Sequence, residues 1–275
     1  MPTEPLGATA TGGFFDDTRA ILRLSGPDAR ELLQGLVTND VRRLGEGAPL
    51  YAALLSPQGK FLHDFLLVAD GADVLLDTDA EGAEALARRL AMYRLRRDVT
   101  IADSGLGVAL LPQGAAPPAG LLAVTDPREP ALGLRVYAPA SALDLPVDAA
   151  ARAAHEALRV RLGVPATGAE LRRDETFILE AGFERLHGVD FRKGCYVGQE
   201  VTARMKHKAE LRRGLVRLAV EGTAPPPGAE ISNADGKSVG TIGSVAGGEA
   251  LALVRLDRAT GEMRAGEAVL RRIEA

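Results

Sequence analysis

Sulfur and aromatic rings are scarce in this chain. It has one cysteine and no tryptophan, and aromatic residues make up only 4% of it. A single cysteine excludes an internal disulfide and any metal site built from this chain's thiolates alone. So few rings argue against a surface that stacks nucleic-acid bases. A phosphate-cradling G-x-x-x-x-G-K-[ST] loop is absent, and there is no convincing dinucleotide fingerprint. No apolar run approaches the roughly 18–20 residues of a membrane span. Met1 to Thr11 lacks the basic flank and apolar block of a secretory signal, so a soluble cytoplasmic protein with no membrane attachment is expected. The 33 Lys and Arg against 37 Asp and Glu leave a net charge of -4. Such a chain is not built as a whole for nucleic acid or an anionic membrane, although it can carry a local basic patch.

What is present is ordinary globular material: 275 residues, 46% hydrophobic and 25% charged, enough for one large or two smaller domains. Thr18 to Leu24 reads as a strand. Ser25 then caps a helix carrying Leu32, Leu33 and Leu36, which ends near the turn formers Thr38-Asn39-Asp40. Leu50 to Leu55 and Lys60 to Val68 form a hairpin about Ser56-Pro57-Gln58-Gly59. Asp73 to Asp77 continues the sheet, and Glu81 to Arg97 is the clearest helix. Short strands follow up to Tyr137, then an Ala-rich helix over Ala149 to Leu162. Beyond Ala209 the pattern is strands only, five of them with turn signals at Asn233-Ala234-Asp235-Gly236 and Gly247-Gly248. That suggests a small antiparallel barrel or sandwich. The expected division is therefore 1–208 and 209–275.

The unusual window is Phe191-Arg192-Lys193-Gly194-Cys195-Tyr196-Val197-Gly198-Gln199-Glu200. From Arg192 to Arg213 seven basic residues (Arg192, Lys193, Arg204, Lys206, Lys208, Arg212 and Arg213) face only Glu200 and Glu210, a net of +5 in an acidic chain. Cationic neighbours favour thiolate, the form that attacks or binds metal. Gly194 and Gly198 permit sharp turns, and a short helix starting near Gly198 would place its positive end close to Cys195. Against this stands the plainer reading, a small buried hydrophobe beside a solvated charged face.

Lys193-Gly194-Cys195-Tyr196-Val197-Gly198-Gln199-Glu200 resembles the K-G-C-Y-x-G-Q-E signature of the YgfZ family of folate-binding, aminomethyltransferase-like proteins. The likeness extends to Gln34-Gly35-Leu36-Val37-Thr38-Asn39-Asp40-Val41, to the hairpin around Ser56-Pro57-Gln58-Gly59, to Leu162-Gly163-Val164-Pro165 and to the glycine-rich tail. The resemblance implies an α+β, three-lobed fold with a C-terminal antiparallel β-barrel, binding tetrahydrofolate or a derivative. It implies an accessory role in iron–sulfur cluster assembly or repair, with iron–sulfur proteins or assembly factors as partners and tRNA modification as a downstream beneficiary. The site residues it implies are Cys195 and Asp64 for chemistry, and Asp64, Lys193, Gly194, Tyr196, Gly198, Gln199, Glu200 and Arg204 for the folate. Arg192, Lys193, Arg204, Lys206 and Lys208 are candidates for its carboxylate tail.

Some residues bear on whether a reaction is catalysed. Asp64 shares a strand face with Leu62, Leu66 and Val68, and a carboxylate there needs a partner, a ligand or a raised pKa. Related transferases place a pterin-binding glutamate in R-x-E-x-G. Here Arg159-Val160-Arg161-Leu162-Gly163 puts Arg161 in that place; Glu180 is a candidate substitute acid, against the plainer reading of a residue on a helix or loop surface. A guanidinium cannot accept hydrogen bonds from a pterin. His187 and His207 flank the cysteine window as candidate partners of the thiol, while His63 should face away from Asp64. One cysteine cannot hold a [4Fe–4S] cluster alone, so any iron bound to Cys195 needs ligands from elsewhere. The rival readings are a folate-dependent one-carbon (aminomethyl) transferase or demethylating enzyme, and a module that binds tRNA directly through the basic strip.

Overall fold

The computed structural model describes residues 12–143, 145–207 and 210–274. The leader reading at Met1 to Thr11, the cation Lys208 and the boundary residue Ala209 lie outside them. The chain forms two compact units. One comprises Met1–Leu55, His63–Arg152 and Leu186–Val197, the other Ser56–Leu62, Ala153–Arg185 and Gly198–Ala275.

The first unit contains β1 (Phe14–Phe15), β2 (Arg19–Ser25), α1 (Ala29–Gln34), β3 (Leu50–Leu55), β4 (Phe61–Asp70) from His63 onward, β5 (Asp73–Asp79), α2 (Ala80–Arg94), β6 (Thr100–Asp103), β7 (Gly107–Leu111), β8 (Leu122–Thr125), β9 (Leu134–Ala138) and α3 (Ala140–Leu143). Its sheets have the orders β3-β4-β5-β2-β6 and β1-β7-β9-β8. Alternation along the strands makes the larger sheet two-faced. Leu22, Leu24, Phe65, Leu67 and Leu76 pack against Leu32 and Leu33 of α1 and Leu86 and Leu90 of α2. Ile21, Val68 and Leu75 pack against Phe14, Val108, Leu110 and Tyr137 of the smaller sheet. Each such side chain contributes roughly 1.5–3 kcal/mol.

Local chemistry explains where the helices begin. Asp79 caps α2, its carboxylate accepting the Gly82 N–H at 2.7 Å. Ser25 does not cap α1 as expected. It closes β2, opposite Thr100 of β6, and Asp28 takes the N-cap position. Asp28 makes no cap bond and instead accepts the Asp98 N–H at 2.8 Å.

The second unit holds α4 (Ala149–Arg161) from Ala153 onward, α5 (Gln199–Lys206), β10 (Arg213–Glu221), β11 (Glu230–Asn233), β12 (Ser238–Ala246), β13 (Glu249–Arg255), β14 (Glu262–Ala265) and β15 (Ala268–Ile273). The last six strands close a barrel in the order β10-β13-β12-β11-β14-β15, around Leu218, Ile231, Ile242, Val254, Met263 and Leu270. The sequence reading finds five of them. It misses β14, whose four residues put only Met263 and Ala265 inward between two charges. A bulge between Ile242 and Val245 turns the Ser244 N–H to the buried Glu170, which accepts it at 2.6 Å and the Ala166 N–H at 2.8 Å. Arg159 of α4 stands 3.6 Å from the same carboxylate. Gly243 leaves the room, because a β-carbon there would lie 2.3 Å from Glu170 Oε1. The α+β class and the C-terminal antiparallel barrel are thus present as expected.

Candidate functional site

Two segments that carry the family likeness, 34–43 and 187–196, are locked together in the first unit. Thr38 donates to the Gly188 carbonyl at 2.6 Å, and Asn39 donates to the Tyr51 and His187 carbonyls at 2.8 and 2.7 Å. The Asp190 N–H returns a bond to the Thr38 carbonyl at 3.0 Å. Gln34 donates to the Lys193 carbonyl at 3.2 Å, and its own side-chain oxygen accepts the Val41 N–H. Lys193 closes the lock. It is buried, with its ammonium on the Gln34 carbonyl at 2.8 Å and on the Val37 carbonyl. The Gln34 carbonyl is one that the end of α1 leaves without a helical partner, and Val37 lies three residues beyond that helix. Burial pulls the Lys193 pKa down to about 8, with Asp40 opposing.

Cys195 comes out of this lock into solvent. Gly194, at φ 100°, makes the turn that releases it, and Tyr196 returns to the interior with its ring 5.1 Å from the Lys193 ammonium. The buried-hydrophobe reading of the cysteine is therefore excluded. The cations are arranged differently from the sequence picture. Lys193 turns inward to backbone, Arg204 pairs with Glu200 at 2.6 Å, and Lys206 pairs with Glu184, while Arg192 is exposed. Gly198, at φ 83°, is the N-cap of α5, which starts at Gln199 as expected. Among the described residues neither His187 nor His207 bonds to Cys195.

Asp64 is buried, not on a solvent-facing edge. Tyr51 donates to its Oδ2 at 3.1 Å, and Thr78 donates to its backbone carbonyl at 3.0 Å. It belongs to a polar seam that sequence reading missed. The Arg128 guanidinium lies 5.8 Å from the Tyr51 ring and bonds Asp126 at 2.7 Å. Arg135 joins Asp126 at 3.3 Å to Asp77 at 2.7 Å, and Asp77 also accepts from Arg19 and Tyr137 at 2.7 and 2.8 Å. Burial pushes Asp77 and Asp126 up, but Arg135 and Arg19 for the one and Arg128 and Arg135 for the other outweigh it, holding both carboxyls below the usual range.

In the second unit, Arg161 and Glu180 border one cavity of about 420 Å³, together with Arg185, Arg217, Leu215 and Leu251. Burial raises the Glu180 pKa. Arg161 is largely exposed, 4.0 Å from Glu249. No cluster of three or more His, Cys, Asp or Glu side chains fit for a metal ion occurs among the described residues, nor a helix long and apolar enough to cross a membrane.

Comparison with known proteins places this geometry among relatives. Residues 212–274 match the family model of the CAF17 C-terminal beta-barrel domain. The mitochondrial iron–sulfur cluster assembly factor IBA57 homolog of Pyricularia oryzae is 32% identical, over 94% of this chain and 75% of its own length. The human mitochondrial factor IBA57 is 30% identical, over 94% of this chain and 82% of its own. Among solved structures, the glycine cleavage system aminomethyltransferase T of Bartonella henselae superposes with a TM-score of 0.77 at 17% identity, covering 97% of this chain and 86% of that one. The fold is aminomethyltransferase-like, as the resemblance implied. Two expectations change: the relatives carry the name IBA57 and not YgfZ, and the expected cytoplasmic location is overturned because those relatives are mitochondrial proteins.

Proposed function

The chain belongs to the IBA57 family of iron–sulfur cluster assembly factors, and from that premise we propose that it supports assembly or repair of [4Fe–4S] enzymes through the thiol of Cys195. The observation that carries this reading is the direction of the polar groups around the loop. Lys193, Thr38, Asn39 and Gln34 bond inward to backbone, while the one cysteine thiol is left in solvent. Stability alone does not ask for an exposed thiol at the tip of so tightly held a turn. A single sulfur suits transient ligation, with the remaining iron ligands supplied by a partner protein. Enzymes that thiolate tRNA bases are proposed beneficiaries, as in the YgfZ family the signature resembles. In cells depleted of the native protein, Cys195→Ala should fold with an unchanged melting temperature yet leave [4Fe–4S] enzyme activity at the depleted level. Full rescue by that variant contradicts the role.

Tetrahydrofolate or a derivative is the proposed ligand. The cavity bordered by Glu180, Arg161 and Arg185 fits it in size and chemistry. An acid accepts from the pterin's N–H donors, guanidinium groups hold the tail carboxylates, and roughly 300–1,000 Å³ is the usual range for such sites. The other folate contacts that the resemblance implies, Asp64, Gly194, Tyr196, Gly198, Gln199, Glu200 and Arg204, do not line this cavity and stand as a separate proposal. The domain division at 208/209, with folate binding assigned to the first part, likewise stands as a proposal. Calorimetry should show tetrahydrofolate binding that weakens as salt rises. Glu180→Gln should lose about ten-fold in affinity, or about 1.4 kcal/mol. Binding that ignores both salt and this substitution contradicts the assignment. Turnover of methylated amines by the pure protein would favour the transferase or demethylase reading instead.

A further inference from the structure

Glu180 stands in the wall between two hollows of the second unit. On one side is the cavity of about 420 Å³, floored by Leu215, Leu251 and Ile273 of the barrel strands. On the other is a chamber of about 50 Å³, bordered by Thr176, Thr241, Glu175 and Arg213 and large enough for water. The main chain fixes the residue there. Its N–H donates to the Phe177 carbonyl at 3.0 Å, its carbonyl accepts the Leu215 N–H at 2.8 Å, and its neighbours Leu179 and Ala181 are buried.

The side chain of this half-buried residue is left over. Among the described residues its carboxylate accepts no hydrogen bond and joins no ion pair, although cations stand around both hollows. Most of those cations are committed elsewhere. Arg217 pairs with Glu249 at 2.9 Å, and Arg161 lies 4.0 Å from the same acid. Arg185 donates to the Gly163 carbonyl at 2.6 Å. Lys60 donates to the Glu175 carbonyl at 2.7 Å, with its ammonium 3.4 Å from the centre of the Phe177 ring. On the chamber side the buried Glu170 is taken by the Ala166 and Ser244 N–H groups, and Arg172 and Glu175 complete the charges. Arg213 and Arg272 reach into solvent. Burial raises the Glu180 pKa against the pull of Arg213 and Lys60, so the carboxyl keeps its proton to higher pH than an ordinary glutamate.

A pterin reverses that balance. Its amino-pyrimidine edge offers adjacent N–H donors, and only an ionised carboxylate accepts on both oxygens. We infer that tetrahydrofolate binding in this cavity expels a proton from Glu180: the carboxyl O–H ionises, the proton passes to the buffer, and both oxygens accept N–H groups of the pterin. The inference rests on the reading of this cavity as the folate site and adds its control by pH. Affinity rises with pH, by up to about ten-fold per unit over the range where Glu180 starts protonated.

Calorimetry of the full chain with tetrahydrofolate at about pH 6, in two buffers of unlike ionisation heat, tests this. The wild type should give different heats in the two buffers, equivalent to release of part of one proton, and should bind more weakly as pH falls. Glu180→Gln keeps the shape and removes a charge that has no close partner, so its melting temperature should not drop. It should bind more weakly at neutral pH, with heats that ignore the buffer and an affinity that ignores pH. Equal heats in both buffers for the wild type overturn the inference and leave the folate site standing. The same proton release from Glu180→Gln also overturns it, because the proton then comes from the ligand or another group. No binding by the wild type, or full affinity in Glu180→Gln, removes the folate site and the inference together.

Discussion

Replacing Asp77 with alanine should destabilise the protein by about 3–5 kcal/mol, a large share of the roughly 5–15 kcal/mol that holds a typical domain folded. Asp77 is fully buried and neutralises Arg135, itself buried, and Arg19. Alanine leaves the Arg135 guanidinium in a low-dielectric interior with the longer contact to Asp126 in place of its close carboxylate, and deprives the Tyr137 hydroxyl of its carboxylate acceptor. The loss comes from stranding charge, not from forfeiting a favourable pair, so a variant replacing the whole cluster by apolar groups of like shape should cost far less. The same seam sets the acid limit. Asp77 and Asp126 have folded-state pKa values below their unfolded values, so the unfolded chain takes up protons first as pH falls. The stability they lend is complete above about pH 4 and drains below it. Urea midpoints measured from about pH 6 to about pH 3, a span that brackets the ordinary carboxylate range, with Asp77→Ala alongside, should show the wild type losing its advantage at the acid end. A ΔΔG under about 1 kcal/mol for Asp77→Ala is incompatible with a buried charged seam.

Lys193→Met is expected to cost about 2–4 kcal/mol and to loosen the cysteine loop. The ammonium's two bonds are to the Gln34 and Val37 carbonyls, and methionine fills the space without donating. Amides of the loop around Asp190 should then exchange hydrogen faster than those of β5, marking local opening. The pH signature separates this from simple packing loss. With the folded pKa lowered from 10.5 to about 8, the unfolded state binds the extra proton between those values. Wild-type stability therefore gains on the methionine variant as pH rises through that window. A pH-independent difference, or unchanged exchange in the loop, contradicts the clamp.

Much of the fold can be read from the sequence because its signals are local. The hairpin turn, the stripe of Leu86 and Leu90 and the barrel's turn residues each lie within a few positions of the elements they specify. The cysteine loop is legible as a motif, but its mechanics are not. Charge counting shows Lys193 as a cation near sulfur and cannot show that its amine turns to carbonyls 156 residues away or more. The polar seam is hidden for the same reason. Asp77 and Arg135 are 58 residues apart, the one the middle of three acids in β5 and the other the lone charge of β9, and only the packing of two sheets reveals them as partners. Ser25 misleads because a good cap residue was already committed to a strand ladder.

The most direct test of the central claim, a reachable sulfur used as an iron ligand, is the spectrum of the cluster itself. The chain is mixed with a cluster-loaded assembly protein, and the visible absorption and paramagnetic resonance of the cluster are recorded. The account predicts a changed ligand signature with the wild type and none with Cys195→Ser; an equal change with serine at that position would contradict it.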